Sequence, residues 1–433
     1  MHKGRWGKNM TPKVKERIEQ IRHGIVPEGY KKTKAGIYPE DWKEYTLGDI
    51  YTERKEPGNE SLPLLMVSIH SGVSDGEVDE EDLPKKVKRI EDKSQYKRAA
   101  SGDLVFNMMR AWQGAIGTVR TEGMVSPAYI VAEPNKLVDP LFMDYLMRTP
   151  RMVGTIHKQS YGVTDFRLRL YWDYFAPIHC VLPSVPEQKK IGEAVDVQNK
   201  VIELKEKLLA EKQRQKKHLM QQLLTGKKRL PGFDGEWQNC RLHQIIKRIR
   251  RKNTVGNENV LTISAQYGLI NQSEFFNKEI ASEDKNNYYL LNRNDFAYNK
   301  SYSSGYPFGA IKRLTRYDQG IVSPLYICFE IVGDQVSLSY MEQYFEAGLT
   351  NREIQAFAQE GARNHGLLNI AVDDFFNSKL VLPSIEEQQA IAKILIAADR
   401  EIELLRQDLE QEKQKKKALM QLLMTGLVRV SNS

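Results

Sequence analysis

Hydrophobic residues in two separate stretches recur with the 4-3 spacing that keeps one face of a helix against a partner. Between residues 386 and 429 the seam reads Ile391, Leu395, Ala398, Ile402, Leu405, Leu409, Glu412, Lys416, Leu419 and Leu423. Between 187 and 229 the same places hold Ile191, Val195, Gln198, Ile202, Lys205, Leu209, Lys212, Lys216, Leu219 and Leu223. Both copies open on Leu-Pro-Ser (Pro183, Pro383), continue through Glu-Gln (Glu187-Gln188, Glu387-Gln388) and close on Thr-Gly (Gly226, Gly426), 200 residues apart without a gap. A proline before the first turn and a glycine after the last are start and stop signals of a helix. About 37 helical residues, at 1.5 Å each, make a strut of roughly 55 Å. Each seam needs a mate and the other copy is the nearest one, so an antiparallel pair is expected. The polar seam places weaken that pair and predict added contacts from another chain.

The rest of the chain repeats more loosely. Residues 34 to 42 resemble residues 228 to 237, each ending on a tryptophan (Trp42, Trp237), which marks the repeat boundary. Asp103-Leu104-Val105-Phe106-Asn107 matches Asp295-Phe296-Ala297-Tyr298-Asn299, and Val125-Ser126-Pro127 matches Val322-Ser323-Pro324. The offset drifts between these anchors, so the scaffold is shared and the loops differ. Short β-rich runs at 64 to 69, 104 to 107, 115 to 119 and 129 to 132, and again at 260 to 264, 310 to 313 and 326 to 331, alternate with helices predicted at 140 to 148 and 338 to 348. The class is therefore α+β, with two pseudo-repeated globular domains separated by two long antiparallel coiled-coil helices. The boundaries expected are 1 to 34 for a basic arm and helix, 35 to 186 for the first globular domain and 187 to 229 for the central helix, then 230 to 385 for the second domain and 386 to 429 for the C-terminal helix. The first of these segments carries Val14, Ile18, Ile21 and Ile25 at helical spacing from Thr11-Pro12.

Composition changes this picture in two ways. The net charge of +8 invites a nucleic-acid reading, but residues 1 to 34 carry net +7 and residues 187 to 229 net +6, whereas the globular stretches come to −4 (35 to 186) and −1 (230 to 385). Any DNA surface on the globular parts must be a local patch. The three cysteines (Cys180, Cys240, Cys328) are too scattered for a disulfide framework or a zinc finger. No apolar run approaches 18 residues and the N-terminus has no signal-peptide core, so no membrane is expected and a reducing cytoplasm is the default.

Catalytic patterns are missing. There is no Asn/Asp-Pro-Pro-aromatic loop of a base methyltransferase, no Walker A spacing and no His pair at metal spacing. Pro39-Glu40-Asp41-Trp42 has a passing likeness to a nuclease carboxylate cluster but reads as a turn. No cofactor is expected.

Candidates for contact are the loops that differ between the halves. In the first, Arg110 can fork onto guanine and Gln113 suits adenine, with Trp112 between them as either a core or a base-stacking ring. The equivalent loop of the second half carries Lys300, Ser301, Tyr302 and Ser303, donors that would read a different sequence. Near the end of each globular part lie polar loops with Lys158, Tyr161 and Arg167, and with Arg363, Asn364 and His365.

Taken together, the doubled Leu-Pro-Ser-x-x-Glu-Gln strut, its Gln221-Gln222-Leu223-Leu224-Thr225-Gly226 close and the Arg110-Ala111-Trp112-Gln113-Gly114 loop resemble the specificity subunits of type I restriction-modification systems over nearly the whole chain. The second half departs from that pattern at Lys300-Ser301-Tyr302-Ser303. The resemblance implies a non-catalytic, sequence-specific DNA-binding subunit whose two target-recognition domains each read half of a split, asymmetric target. It implies double-stranded DNA, two methyltransferase subunits and the restriction (translocase) subunits as partners, with adenine-N6 chemistry supplied by the methyltransferases. A coiled-coil adaptor that joins proteins without reading DNA is the alternative from another class.

Overall fold

The computed structural model describes residues 11 to 69, 72 to 74, 92 to 162, 167 to 264, 267 to 276, 285 to 303, 305 to 357, 359 to 360 and 368 to 430. The chain divides into two compact units, one of residues 1 to 206 with 408 to 433, the other of residues 207 to 407. The division falls in the middle of both long helices.

The first unit begins with helix α1 (Pro12–Arg22), which buries no residue completely. It stops short of Ile25, expected on its stripe: His23 caps it, Gly24 turns to φ 75° and Ile25 is 56% exposed. The strands β1 (Tyr51–Arg54), β2 (Leu104–Asn107), β3 (Ile116–Thr118) and β4 (Tyr129–Pro134) form an antiparallel sheet in the order β1-β4-β2-β3. Helices α2 (Pro140–Met147), α3 (Pro150–Gln159) and α4 (Trp172–Phe175) follow, before the long helix α5 (Val185–Leu223). Both faces of the sheet are buried: Leu104, Phe106, Ile130 and Ala132 join the helical core, while Val105 and Val131 join a smaller cluster with Leu65, Val119 and Val125. That is why the strand sequences are unbroken apolar runs rather than alternating ones. Between residues 64 and 69 only Val67–Ser68 forms a strand, and Leu64 makes a single bridge to Met124.

The second unit repeats this plan with β5 (Ile246–Arg248), β6 (Phe296–Asn299), β7 (Ala310–Arg313) and β8 (Ile327–Ile331) in the order β5-β8-β6-β7. Helices α6 (Leu338–Glu346), α7 (Asn351–Phe357) and α8 (Val372–Phe376) precede the second long helix, α9 (Ile385–Leu423). Phe296, Tyr298, Ile327 and Phe329 face the helical core; Ala297 and Cys328 face the smaller cluster. Cys328 and Cys180 are thus buried free thiols serving as small core residues.

Within each unit the start of one long helix lies antiparallel to the end of the other. In the first unit, Gln198 Nε2 donates to Glu412 Oε2 at 2.6 Å, Lys205 Nζ lies 2.7 Å from Asp408, and Lys413 lies 2.6 Å from Glu206. In the second, Lys212 pairs with Glu401 at 2.7 Å and Lys216 with Asp399 at 2.5 Å. Five of the six polar seam residues (Gln198, Lys205, Lys212, Lys216 and Glu412) therefore find partners inside the pair itself, and the contacts from another chain that they were expected to need do not follow from them. Half-exposed ion pairs of this kind contribute only about 0.2–1 kcal/mol each, so they set register more than stability.

The repeated Glu-Gln of the strut is a joint. Gln188 is fully buried: its Oε1 accepts Asp139 N at 2.8 Å, and its Nε2 donates to the carbonyls of Leu137 and Pro183 at 3.0 Å. Gln388 does the same with Ser337 N (3.0 Å) and the carbonyls of Gln335 (3.2 Å) and Pro383 (2.9 Å). Buried Glu187 receives two hydrogen bonds from Arg429, and buried Glu387 two from Arg229, so each carboxylate meets a guanidinium just beyond the end of the antiparallel helix. Gly226 and Gly426, at φ 69° and 68°, let the chain turn against Trp237 and Trp42; an added Cβ at Gly426 would lie 2.5 Å from Pro39. Asp41 also pairs with Arg429, whose hydrogen bonds hold its carboxyl below the usual range, so the Asp41 carboxylate belongs to this joint.

Candidate nucleic-acid interface

The loop after β2 is shaped by its own backbone. Asn107 Oδ1 accepts Met109 N at 2.9 Å, a 3-10 turn over Ala111–Gln113 buries Ala111, and Gly114 closes it at φ 102°. Arg110 and Gln113 are left exposed, and neither makes an ion pair or side-chain hydrogen bond among the described residues. Trp112 is half-buried: its Nε1 donates to Met109 O at 3.0 Å, and its ring lies 5.5 Å from that of His157. The indole N–H is spent inside the loop, so only ring surface remains for a ligand.

Residues 157 to 162 were expected to be a polar loop, but α3 continues to Gln159 and holds His157 and Lys158 in its last turn. The reason is local: Thr149 caps the helix, Pro150 occupies its first position, and Met152 and Ile156, four apart, are buried. Lys158 is exposed. Tyr161 exchanges backbone hydrogen bonds with Arg169 at 2.9 Å in both directions, and Arg167 and Arg169 are exposed beside it. Leu170 N donates to Met108 O at 2.8 Å, and Trp112 rests on His157, so the Arg110 loop and the Lys158–Arg167 region are brought together.

The second unit builds the same loop after β6. Ser301 N donates to Asn299 Oδ1 at 3.1 Å, and Leu368 N donates to Lys300 O at 3.0 Å. Its side chains are disposed differently. Lys300 is half-buried with Nζ 3.5 Å from Ile370 O, and burial, with Arg248 nearby, holds its ammonium below the ordinary lysine range. Ser301 and Ser303 are half-buried, Ser303 bridging to Tyr306, while Tyr302 is 65% exposed. Arg363, Asn364 and His365 lie outside the described residues.

Sequence reasoning passed over two features. Lys247, Arg248, Arg250, Arg251 and Lys252 form a basic run that averaging over residues 230 to 385 concealed; Arg251 is spent on Asp295 and Lys252 on Asn287 O, leaving Lys247 and Arg250 exposed. Tyr171, the N-cap of α4, and Tyr174 within it are exposed, a placement legible in their three-residue spacing. Among the described residues no group of three or more His, Cys, Asp or Glu could hold a metal ion, and no helix is long and apolar enough to cross a membrane.

Two repeated α+β units, each completed by the start of one long helix and the end of the other, define a fold that solved S subunits share. The type I restriction-modification S subunit from M. genitalium matches with a TM-score of 0.53 at 10% identity, over 88% of this chain and 96% of that one. A chain solved to explain complex assembly and conformational transition of the type I R-M system matches with a TM-score of 0.51 at 17% identity, over 90% and 99%. No family model matches the sequence. In sequence, the type I restriction enzyme MjaVIII specificity subunit of Methanocaldococcus jannaschii is 20% identical over 94% of this chain and 97% of its own length. Over nearly its whole length this chain is thus similar in sequence to a type I restriction enzyme specificity subunit, and it shares the fold of solved S subunits.

Proposed function

We propose that this chain is the sequence-specific DNA-binding subunit of a type I restriction-modification complex. It reads a bipartite, asymmetric target through its two globular units and scaffolds two methyltransferase subunits and the restriction subunits; it performs no catalysis itself and works in the cytoplasm. One observation carries this reading: each unit presents a loop after the same strand, braced by the side chain of the same asparagine and tied through its next carbonyl to a later segment of the chain, with different side chains on it. A fixed frame with variable contacts is what two readers of different half-sites require. Arg110 and Gln113 are the base readers of the first unit, with Trp112 supplying ring surface and Lys158, Tyr161 and Arg167 flanking them. Lys300, Ser301, Tyr302 and Ser303 serve the second, with Arg363, Asn364 and His365. Any methyl transfer, with the extrusion of the adenine that receives the methyl group, belongs to the methyltransferase partner.

The test is modified-base sequencing of the host genome with and without this gene. Loss of one split N6-methyladenine motif on deletion is expected. An unchanged methylome, together with DNA-independent assembly with partner proteins, would replace this reading with a structural adaptor.

A further inference from the structure

The aromatic run Tyr171-Trp172-Asp173-Tyr174-Phe175 forms α4 with Tyr171 as its N-cap, and the turn sorts its rings. Phe175 is completely buried, lying 4.7 Å from the ring of Phe106, and Trp172 is half-buried against the same core. Tyr171 and Tyr174 point the other way and are 39% and 42% exposed. Across from them the bridge between Tyr161 and Arg169 fixes the backbone of Tyr161, and Gly162 is required there because a Cβ would lie 2.7 Å from Arg167 O. The Tyr161 ring then stacks on Tyr174, centroids 6.0 Å apart and planes inclined by 7°. With one face covered by Tyr174, Tyr161 is still 66% exposed, so its other face is open.

The fold does not require these rings. In the second unit, α8 occupies the equivalent place with the same succession of buried and exposed positions, and Phe375 is buried like Phe175. Where the first unit has Tyr171 and Tyr174, the second has the exposed Ala371 and Asp374. Gln359 pairs with Asn369 as Tyr161 pairs with Arg169. The core is kept, and among the described residues the stack is present in one unit alone.

An open aromatic face gains most from another planar face, and the bases of an intact duplex offer only their edges. Exposed Arg167, Arg169 and Lys158 stand beside the stack, where they suit phosphates. We propose that Tyr161 and Tyr174 form a stacking platform for a nucleobase displaced from the duplex at the half-site read by the first unit. This rests on the DNA-reading function proposed above, and it makes Tyr174 a determinant of binding by deformation rather than by hydrogen bonding to base edges.

The experiment measures binding of the full chain to its cognate duplex while a single mismatch is walked through the first half-site. A mismatch loses contacts where base edges are read but lowers the cost of displacing a base. The result expected is a gain of at least about fivefold in affinity at one position for the wild type. Tyr161→Ala and Tyr174→Ala should abolish that gain and weaken cognate binding by at least about fivefold, while Tyr161→Phe and Tyr174→Phe retain both, since stacking needs the ring and not the hydroxyl. Unchanged thermal unfolding of the alanine variants separates this from a folding defect. Sequence-specific binding with no position improved by a mismatch, or with alanine variants that keep the gain, overturns the platform alone. Failure of the wild type to prefer any sequence overturns the DNA reading and the platform with it.

Discussion

In the first unit, α4 turns Phe175 into the core and Tyr171 and Tyr174 toward solvent; in the second, α8 turns Phe375 inward and presents Ala371 and Asp374. The loops after β2 and β6 follow the same rule, with a shared Asn (Asn107, Asn299) bracing the turn and with Arg110, Trp112 and Gln113 on one side answered by Ser301, Tyr302 and Ser303 on the other. Inward positions were held by packing after duplication, because a buried ring has few acceptable replacements. Outward positions had no such constraint and took on separate chemistry. A difference between two copies of one scaffold thus separates what the fold needs from what a ligand needs, within a single chain.

The comparison can be broken at its inward positions, where the largest effects are expected. Phe175→Ala and Phe375→Ala should each destabilise by about 3–5 kcal/mol, measured by urea unfolding. A large cost in one unit and a negligible one in the other would show that the two helices are not equivalent. Next come the buried glutamines: Gln188→Ala and Gln388→Ala each strand three backbone groups and should cost about 3 kcal/mol, again alike in both.

Outward positions should instead separate the units by function. Arg110→Ala should weaken binding by about 1–3 kcal/mol with relaxed preference at one half-site, whereas exchanging residues 230 to 385 for those of a relative should alter the other half-site alone; a uniform loss across all sequences would make Arg110 a phosphate contact. The smallest effect is electrostatic. Arg429 meets both Asp41 and Glu187, while Arg229 meets Glu387 and a carbonyl. Hydrogen bonding to Arg429 lowers the Asp41 pKa from its ordinary 3.8. Its contribution is therefore present above pH 3.8 and is lost as pH falls through the depressed value. Below about pH 4 the wild type should lose a little stability that Asp41→Asn does not lose, read from thermal unfolding in acid; identical acid profiles would show that the pair contributes nothing.

The duplication, the two helices and the strands at 104 to 107 and 310 to 313 were legible in the sequence because they depend on local periodicity and on residues adjacent in the chain. So were the cap glycines and the proline starts, which are local backbone chemistry. The seam places were legible too, but their meaning was not. Lys205, Lys212 and Lys216 read as weaknesses until their carboxylates, roughly 200 residues away in the chain, came within hydrogen-bonding distance. The Glu-Gln words showed as a repeat, yet only tertiary structure revealed that Gln188 and Gln388 are buried clamps satisfied by backbone groups some fifty residues upstream.

The candidate surface divides in the same way. Arg110, Gln113 and Tyr302 were visible as polar or aromatic residues in loops that differ between the halves, and they are exposed. The burial of Lys300, the half-buried indole of Trp112 and the stack of Tyr161 on Tyr174 were not visible, because each depends on a segment distant in the chain. Short-range order follows from a residue and its near neighbours, so sequence by itself determined which elements form and that they form twice. Which charges are paired, which rings are open and which donors remain free depend on contacts between distant segments, and those only the tertiary structure decided.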